Sequence, residues 1–173
     1  AQAGWLNAAL IQPHGVGDAL YPQVAFDGSG NALAVWQQYD GTKNLIWAAR
    51  YAVGVGWGSP STIENSADAY APQVGADASG YALAVWFQTD GTRYNIWANR
   101  FTPGWGWGSP ALIETNDTGG AQYPQIAVDA SGNALAVWQH SDGTRTNIFA
   151  NRYTAGSGWG NASLVEADNN WSA

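Results

Sequence analysis

Four tryptophans, Trp5, Trp57, Trp107 and Trp159, each follow a glycine and open a short stretch that ends in Gln12, Glu64, Glu114 or Glu166. A ring placed after glycine at the start of an outer strand can lie partly exposed, and an indole face stacks on the apolar face of a pyranose. Packing between sheets is the other use of such a ring, and position alone leaves both open. Trp105 stands where the corresponding turns carry Val55 and Ser157. It is expected to be exposed, and an exposed tryptophan within a polar rim marks a contact surface. Arg50 and Glu64 lie 14 residues apart, as do Arg100 and Glu114, and Arg152 and Glu166. On antiparallel neighbouring strands each couple is expected to form a structural ion pair; alternatively the arginine presents two donors to sugar hydroxyls. Gln12 holds the Glu position where no preceding strand supplies an arginine, which favours the pairing.

The other polar residues point away from catalysis. Asp27, Asp77 and Asp129 open Asp-x-Ser-Gly turns, and Asp40, Asp90 and Asp142 open Asp-Gly-Thr turns. An Asp side chain there accepts backbone N–H groups. Calcium is the minor alternative, since one carboxylate per turn supplies too few ligands. All six basic residues fall on two repeated positions, 43/93/145 and 50/100/152, so charge is a property of the repeat. The net charge of −7 is completed by Asp18, Asp68, Asp117 and Asp168 between repeats. A catalytic centre gathers distinct residues from different elements, so neither enzymatic activity nor a cofactor is expected. His14 and His140 occupy unrelated repeat positions and cysteine is absent, which leaves no metal-ligating set. An acidic chain with six basic residues is a poor partner for nucleic acid. No stretch approaches the roughly 18 apolar residues of a membrane-spanning helix, so no membrane insertion is expected.

These residues recur because the chain repeats. Tyr21-Pro-Gln-Val-Ala-Phe-Asp-Gly-Ser-Gly-Asn-Ala-Leu-Ala-Val-Trp36 returns at 71–86 and again at 123–138. The expected organisation is a single repeat domain over 1–173: a partial repeat over 1–20 that supplies one outer strand, then units over 21–70, 71–122 and 123–173. Each unit reads as four short strands. The first spans 23–26 behind Pro22, and the second spans 31–38 with both faces apolar. The third spans 44–51, and the fourth about 59–64 after a Gly-rich turn. Trp36, Trp86 and Trp138 close the second strand and are expected in the core. Trp47 and Trp97, matched by Phe149, read as packing that tolerates ring size.

Four strands in a repeat of about 50 residues, buried on both faces, is the arithmetic of a β-propeller blade. The expected fold class is therefore all-β, with three blades of four antiparallel strands plus one extra strand. A β-trefoil is the alternative, although it has no use for a thirteenth strand. Closed propellers run from about four to eight blades. Three blades therefore imply a homo-oligomer, with a six-bladed homodimer preferred, or part of a longer protein. The chain carries no methionine even at position 1, which suits a processed, exported protein.

The pattern Pro-Gln-[Val/Ile]-x-x-Asp-x-Ser-Gly-x-Ala-Leu-Ala-Val-Trp, with Asp-Gly-Thr, Ala-x-Arg-[Tyr/Phe] and Gly-Trp-Gly after it, resembles tandem repeats of secreted bacterial proteins. It is more loosely similar to the blades of propeller lectins, tectonins and sialidase-type BNR repeats. That resemblance implies a secreted, lectin-like module that binds glycans or cell-surface polysaccharide between blades. Two features depart from it: the three arginines are copies of one position, and the full Ser-x-Asp-x-Gly-x-x-Trp box is absent. The alternative function is a structural or protein-interaction scaffold of an extracellular assembly.

Overall fold

One side chain makes the first hairpin. Asp27 Oδ1 accepts the backbone N–H groups of Ser29 (2.8 Å) and Asn31 (2.9 Å). Gly30 follows with a φ of 80°, which a Cβ would oppose. Asp77 and Asp129 repeat this turn. In the second hairpin Asp40 Oδ1 accepts from the N–H groups of Thr42 and Lys43, and Asp90 and Asp142 do the same. Turn chemistry thus fixes where each strand reverses.

Between these turns lie three long strands per repeat. The computed structural model describes residues 8–13, 17–65 and 67–166. The first blade comprises β1 (Ala19–Phe26), β2 (Ala32–Tyr39) and β3 (Asn44–Ala52), edged by β4 (Gly56–Trp57) and β5 (Ser61–Thr62). The second comprises β6 (Ala69–Ala76), β7 (Ala82–Thr89), β8 (Tyr94–Thr102), β9 (Gly106–Trp107) and β10 (Ala111–Leu112). The third comprises β11 (Ala121–Val128), β12 (Ala134–Ser141), β13 (Thr146–Thr154), β14 (Gly158–Trp159) and β15 (Ser163–Leu164). Neighbouring strands pair antiparallel within each blade, and both short pieces pair with its third strand. Every repeat keeps its strands in its own sheet, which is a propeller blade and not a trefoil.

Three details differ from the sequence expectation. The inner strand starts four residues early, at Ala19, because a bulge between Leu20 and Gln23 absorbs the donor that Pro22 lacks. Tyr21 takes a positive φ there (54°), as do Ala71 and Tyr123 before the other two prolines. The blades consequently begin at 19, 69 and 121, two residues ahead of the expected 21, 71 and 123. The fourth strand is not one strand but two, interrupted at Gly58–Pro60, where Gly58 N donates to Arg50 O (2.8 Å). Of the partial repeat expected over 1–20, residues 1–7 and 14–16 lie outside the described residues; residues 8–13 form no strand, and Ile11 packs on Ala34, Trp36 and Ala49 of blade 1.

The sheets stack face to face in chain order. Alternation along β7 sends Ala82, Ala84 and Trp86 toward blade 1, where they meet Leu33, Val35, Ile46 and Ile63. Leu83, Val85 and Phe87 point the other way, onto Ala134, Ala136 and Trp138 of blade 3. Each sheet therefore has a rear face of alanines and tryptophan and a front face of branched residues. Small against large is how such layers interdigitate. Trp36, Trp86 and Trp138 are buried, as expected. A polar tie reinforces each junction: Asn99 Nδ2 donates to Ile63 O of blade 1 (2.9 Å) and to Gly108 O (3.0 Å). Asn151 makes the same bridge from blade 3 to Ile113 O.

Candidate functional site

Where blade 2 leans on blade 1, Arg50 and Trp107 line one groove of about 330 Å³. Ser59, Ser61 and Thr62 from the interrupted edge of blade 1 line it too. The break between β4 and β5 brings these hydroxyls there. Trp107 is half-buried, packed against Leu33 and set edge-on to Phe101 with ring centroids 5.6 Å apart. Tyr51 and Trp57, and Tyr153 and Trp159, repeat that edge-on geometry at 5.5 Å. The indole is thus held rigidly by an aromatic neighbour on its own blade.

A second groove, of about 270 Å³, lies at the turn end between blades 2 and 3, lined by Asp77, Tyr81, Arg100, Ser131 and Tyr153 among others. The Arg100 guanidinium sits 4.4 Å from the centroid of the Tyr81 ring, a cation–π contact. Gly132 lets the two turns approach, since a Cβ there would stand 2.8 Å from Asp77 Oδ2. The matching place between blades 1 and 2 holds Asp27, Asn31 and Arg50 and is almost filled, at about 10 Å³. Burial opposes the charge on Asp27, but hydrogen bonds from Asn31 and Ser29 and the nearby Arg50 outweigh it and hold the carboxyl below its ordinary value. Asn31 also latches two turns together, its Oδ1 accepting from Val53 N (3.1 Å), and Asn133 does so from Ala155 N (3.2 Å). Tyr81 replaces that asparagine in blade 2. On blade 3, Arg152 borders a shallow depression with Asp129, Asn133 and Leu135.

The structure separates the arginines from the glutamates expected to pair with them. The outer edge pairs with β3 immediately, at Tyr51–Trp57, so residues beyond Trp57 are carried to the far end of that strand. Ile63 N donates to Ile46 O (2.9 Å), which sets Glu64 level with Leu45, five residues or about 16 Å from Arg50. Glu114 instead lies buried with its Oε1 3.9 Å from His140 Nδ1, and Glu166 Oε1 accepts from Ile148 N (3.1 Å). Among the described residues none of Arg50, Arg100 and Arg152 joins an ion pair, and all three border grooves or open faces.

The tryptophans divide according to their neighbours. Trp107 and Trp159 are half-buried against the preceding blade, whereas Trp57 is exposed, with no blade packed on that side among the described residues. Trp105 is 90% exposed at the tip of its turn, as expected. Trp5 lies outside the described residues. Sequence reasoning missed Tyr81, Ser59, Ser61 and Thr62 as groove residues. Tyr81 carried a signal, since it breaks the asparagine of the other two repeats.

No protein-family model matches the chain, and no curated protein matches it. Solved structures do share its fold. A protein of unknown function from Dyadobacter fermentans superposes with a TM-score of 0.68 at 14% identity, over 90% of this chain and 53% of that one. A structure from work on the GH130 family of mannoside phosphorylases, which contains glycoside hydrolases that target β-1,2-mannosidic linkages in Candida mannan, gives 0.55 at 10% identity over 86% and 48%. A glycosyl hydrolase from Bacteroides ovatus gives 0.53 at 10% identity over 86% and 52%. The chain spans about half the length of these structures, and at such identities the likeness is one of fold: an all-β, repeated, propeller-type architecture.

Proposed function

We propose that the chain is a carbohydrate-binding propeller module, exported from the cell, that takes a glycan in the grooves between its blades. The observation that carries this reading is the pairing of Arg50 with Trp107 in one groove beside Ser59, Ser61 and Thr62. A rigid indole offers a stacking surface for the apolar face of a sugar, and a guanidinium that joins no ion pair among the described residues offers two parallel donors to vicinal hydroxyls. Trp105, 90% exposed at the tip of its turn, offers a further ring to a ligand. Each groove alone binds weakly, and replication supplies avidity once copies assemble. Two of the similar structures come from carbohydrate-active enzymes, which inclines the reading toward sugars. Binding is favoured over hydrolysis, because glycoside cleavage generally uses two facing carboxylates. Among the described residues Asp77 is the one carboxylate lining its groove, and its Oδ1 is occupied by the turn.

A glycan array followed by calorimetry on the hits tests this. Trp107→Ala and Arg50→Gln are each expected to weaken binding at the groove between blades 1 and 2 at least tenfold. Arg50→Gln keeps the thermal transition in place, which separates lost binding from lost fold. The scaffold reading is favoured by a different observation, the apolar residues left uncovered on the outer faces of blades 1 and 3. An array without signal, on a protein that associates with itself, would select it.

A further inference from the structure

The two end faces of the stack carry the same residues as the two faces buried inside it. On the front, Leu33, Val35 and Ile46 of blade 1 recur as Leu83, Val85 and Ile96 of blade 2 and as Leu135, Val137 and Ile148 of blade 3. The first two sets are covered by the next blade, leaving Leu33 4% and Leu83 3% exposed. Leu135, with identical chemistry, is 50% exposed. On the rear, Val74 and Ala76 of blade 2 press on blade 1, and Ile126 and Val128 of blade 3 press on blade 2. Their counterparts on blade 1, Val24 and Phe26, stand open, with Phe26 67% exposed. The molecule thus displays twice, internally, what covers each of its free faces.

We infer that a second copy of this chain docks the rear of its blade 1 on the front of blade 3, and that this contact completes a third groove between Arg152 and the incoming Trp57. Both completed junctions predict the placement. Trp107 of blade 2 reaches the groove of Arg50, and Gly80 and Gly132 bring their turns onto Asp27 and Asp77. By the same superposition Trp57 comes to Arg152, and Gly30 comes to Asp129. The first wall of that groove is in place, with Leu135, Ala150, Arg152 and Ser163 standing where Leu33, Ala48, Arg50 and Ser61 line the completed one. The depression bordered by Asp129 and Asn133 matches the nearly filled place at Asp27 and Asn31 and is closed by the docking. At the outer edge, Val165 is the counterpart of Ile63, which covers Trp86. On blade 1 that place is held by Ile11, so docking exchanges Ile11 for Val165. The contact is head-to-tail, and with suitable curvature two copies close a ring of six blades, inside the usual range for propellers. The docking stands apart from the sugar reading; only the ligand of the third groove rests on it.

Light scattering on the full chain across a wide concentration range tests the contact, with a mass twice the 18.3 kDa of the chain expected. Leu135→Asp blocks only the front, and Phe26→Asp blocks only the rear. Both sites are exposed in the single chain, so each variant is expected to be a monomer with an unchanged thermal transition. Mixing the two leaves one good front and one good rear, and a 1:1 dimer is expected to form. Masses that climb without limit would support the docking and overturn the closed ring. A wild type that stays monomeric would overturn the proposal and leave the faces to further blades of a longer chain. Variants that still dimerise alone, or a mixture that stays monomeric, would overturn the head-to-tail arrangement. Calorimetry on the dimer then counts the grooves: three glycans per chain are expected, falling to two with Trp57→Ala. A dimer that binds no glycan would overturn the sugar reading alone.

Discussion

Trp86 Nε1 donates to Gln88 Oε1 at 2.8 Å in the buried junction between blades, and Trp36 donates to Gln38 at 3.1 Å in the same way. Blade 3 breaks the rule. His140 replaces the glutamine, and Trp138 Nε1 lies buried without an acceptor. His140 Nδ1 stops 3.9 Å from Glu114 Oε1, beyond hydrogen-bond distance, while its Nε2 lies 3.1 Å from Thr118 O. The last repeat therefore carries a polar defect that the other two have solved.

His140→Gln is expected to repair it. A glutamine at this position offers Trp138 the acceptor that Gln38 and Gln88 offer their tryptophans. An unsatisfied buried donor costs about 1–3 kcal/mol, so a gain of about 1–2 kcal/mol in urea unfolding is expected. No gain would mean that the histidine contacts to Phe149 and Thr118 are worth as much as the missing bond.

Glu114 gives a pH dependence of known sign. Burial pushes its carboxyl above the ordinary value of 4.5, against the hydrogen bond from Asn116 N and the nearby His140. A group whose folded pKa is raised holds its proton longer in the folded state. Stability then falls as pH rises from the unfolded value through the folded one. Glu114→Gln should remove that fall, stabilising the protein near neutral pH and leaving it unchanged in strong acid. Denaturation midpoints measured from pH 3 to pH 8 check this, and parallel wild-type and variant curves would contradict it.

The Asp-Gly-Thr turns act in the opposite direction. Asp142 accepts from Thr144 and Asn147 side chains and from the Thr144 and Arg145 N–H groups, and these bonds hold its carboxyl far below the ordinary value. Asp90 is held down likewise, by Thr92, Arg93 and Asn95. A depressed folded pKa contributes stability present above the unfolded value and lost as pH falls through the folded one. Asp142→Asn should therefore flatten the acid limb of the stability curve, with its largest effect above pH 4. An unaltered acid limb would show that these turns do not couple to unfolding.

Gly75 tests the packing between blades 2 and 3. A Cβ at this position would stand 2.6 Å from Val128 Cγ2, and the other repeats carry Ala25 and Ala127 there. Gly75→Ala is expected to cost about 1–3 kcal/mol by overpacking. Adding Val128→Ala should recover most of that loss, since Ala76 fills the same place in blade 2. A double-mutant cycle with no coupling would refute the contact.

The blade itself was legible because each of its signals is local. Ala-Leu-Ala-Val-Trp alternates between two apolar faces, and Asp27 and Asp40 set turns through bonds that reach only four residues. The arginine–glutamate couples were misread because a spacing of 14 says nothing about where an edge starts to pair. Gly56–Trp57 pairs at once, and Glu64 is carried past its expected partner. Exposure was illegible for another reason. Leu33, Leu83 and Leu135 sit in identical pentapeptides, and only the presence or absence of the next sheet decides which of them is covered. The groove chemistry was half legible: the tryptophan and arginine were visible, but the serines and Tyr81 join them through folding.

The missing latch in blade 2 has a consequence for how the repeats differ. Asn31 and Asn133 each tie the first turn of their blade to its Gly-rich turn, through Val53 N and Ala155 N. In blade 2 Tyr81 holds that position and sets its ring against Arg100 instead. A single substitution in a repeated frame thus gives the junction between blades 2 and 3 an aromatic wall that the junction between blades 1 and 2 lacks.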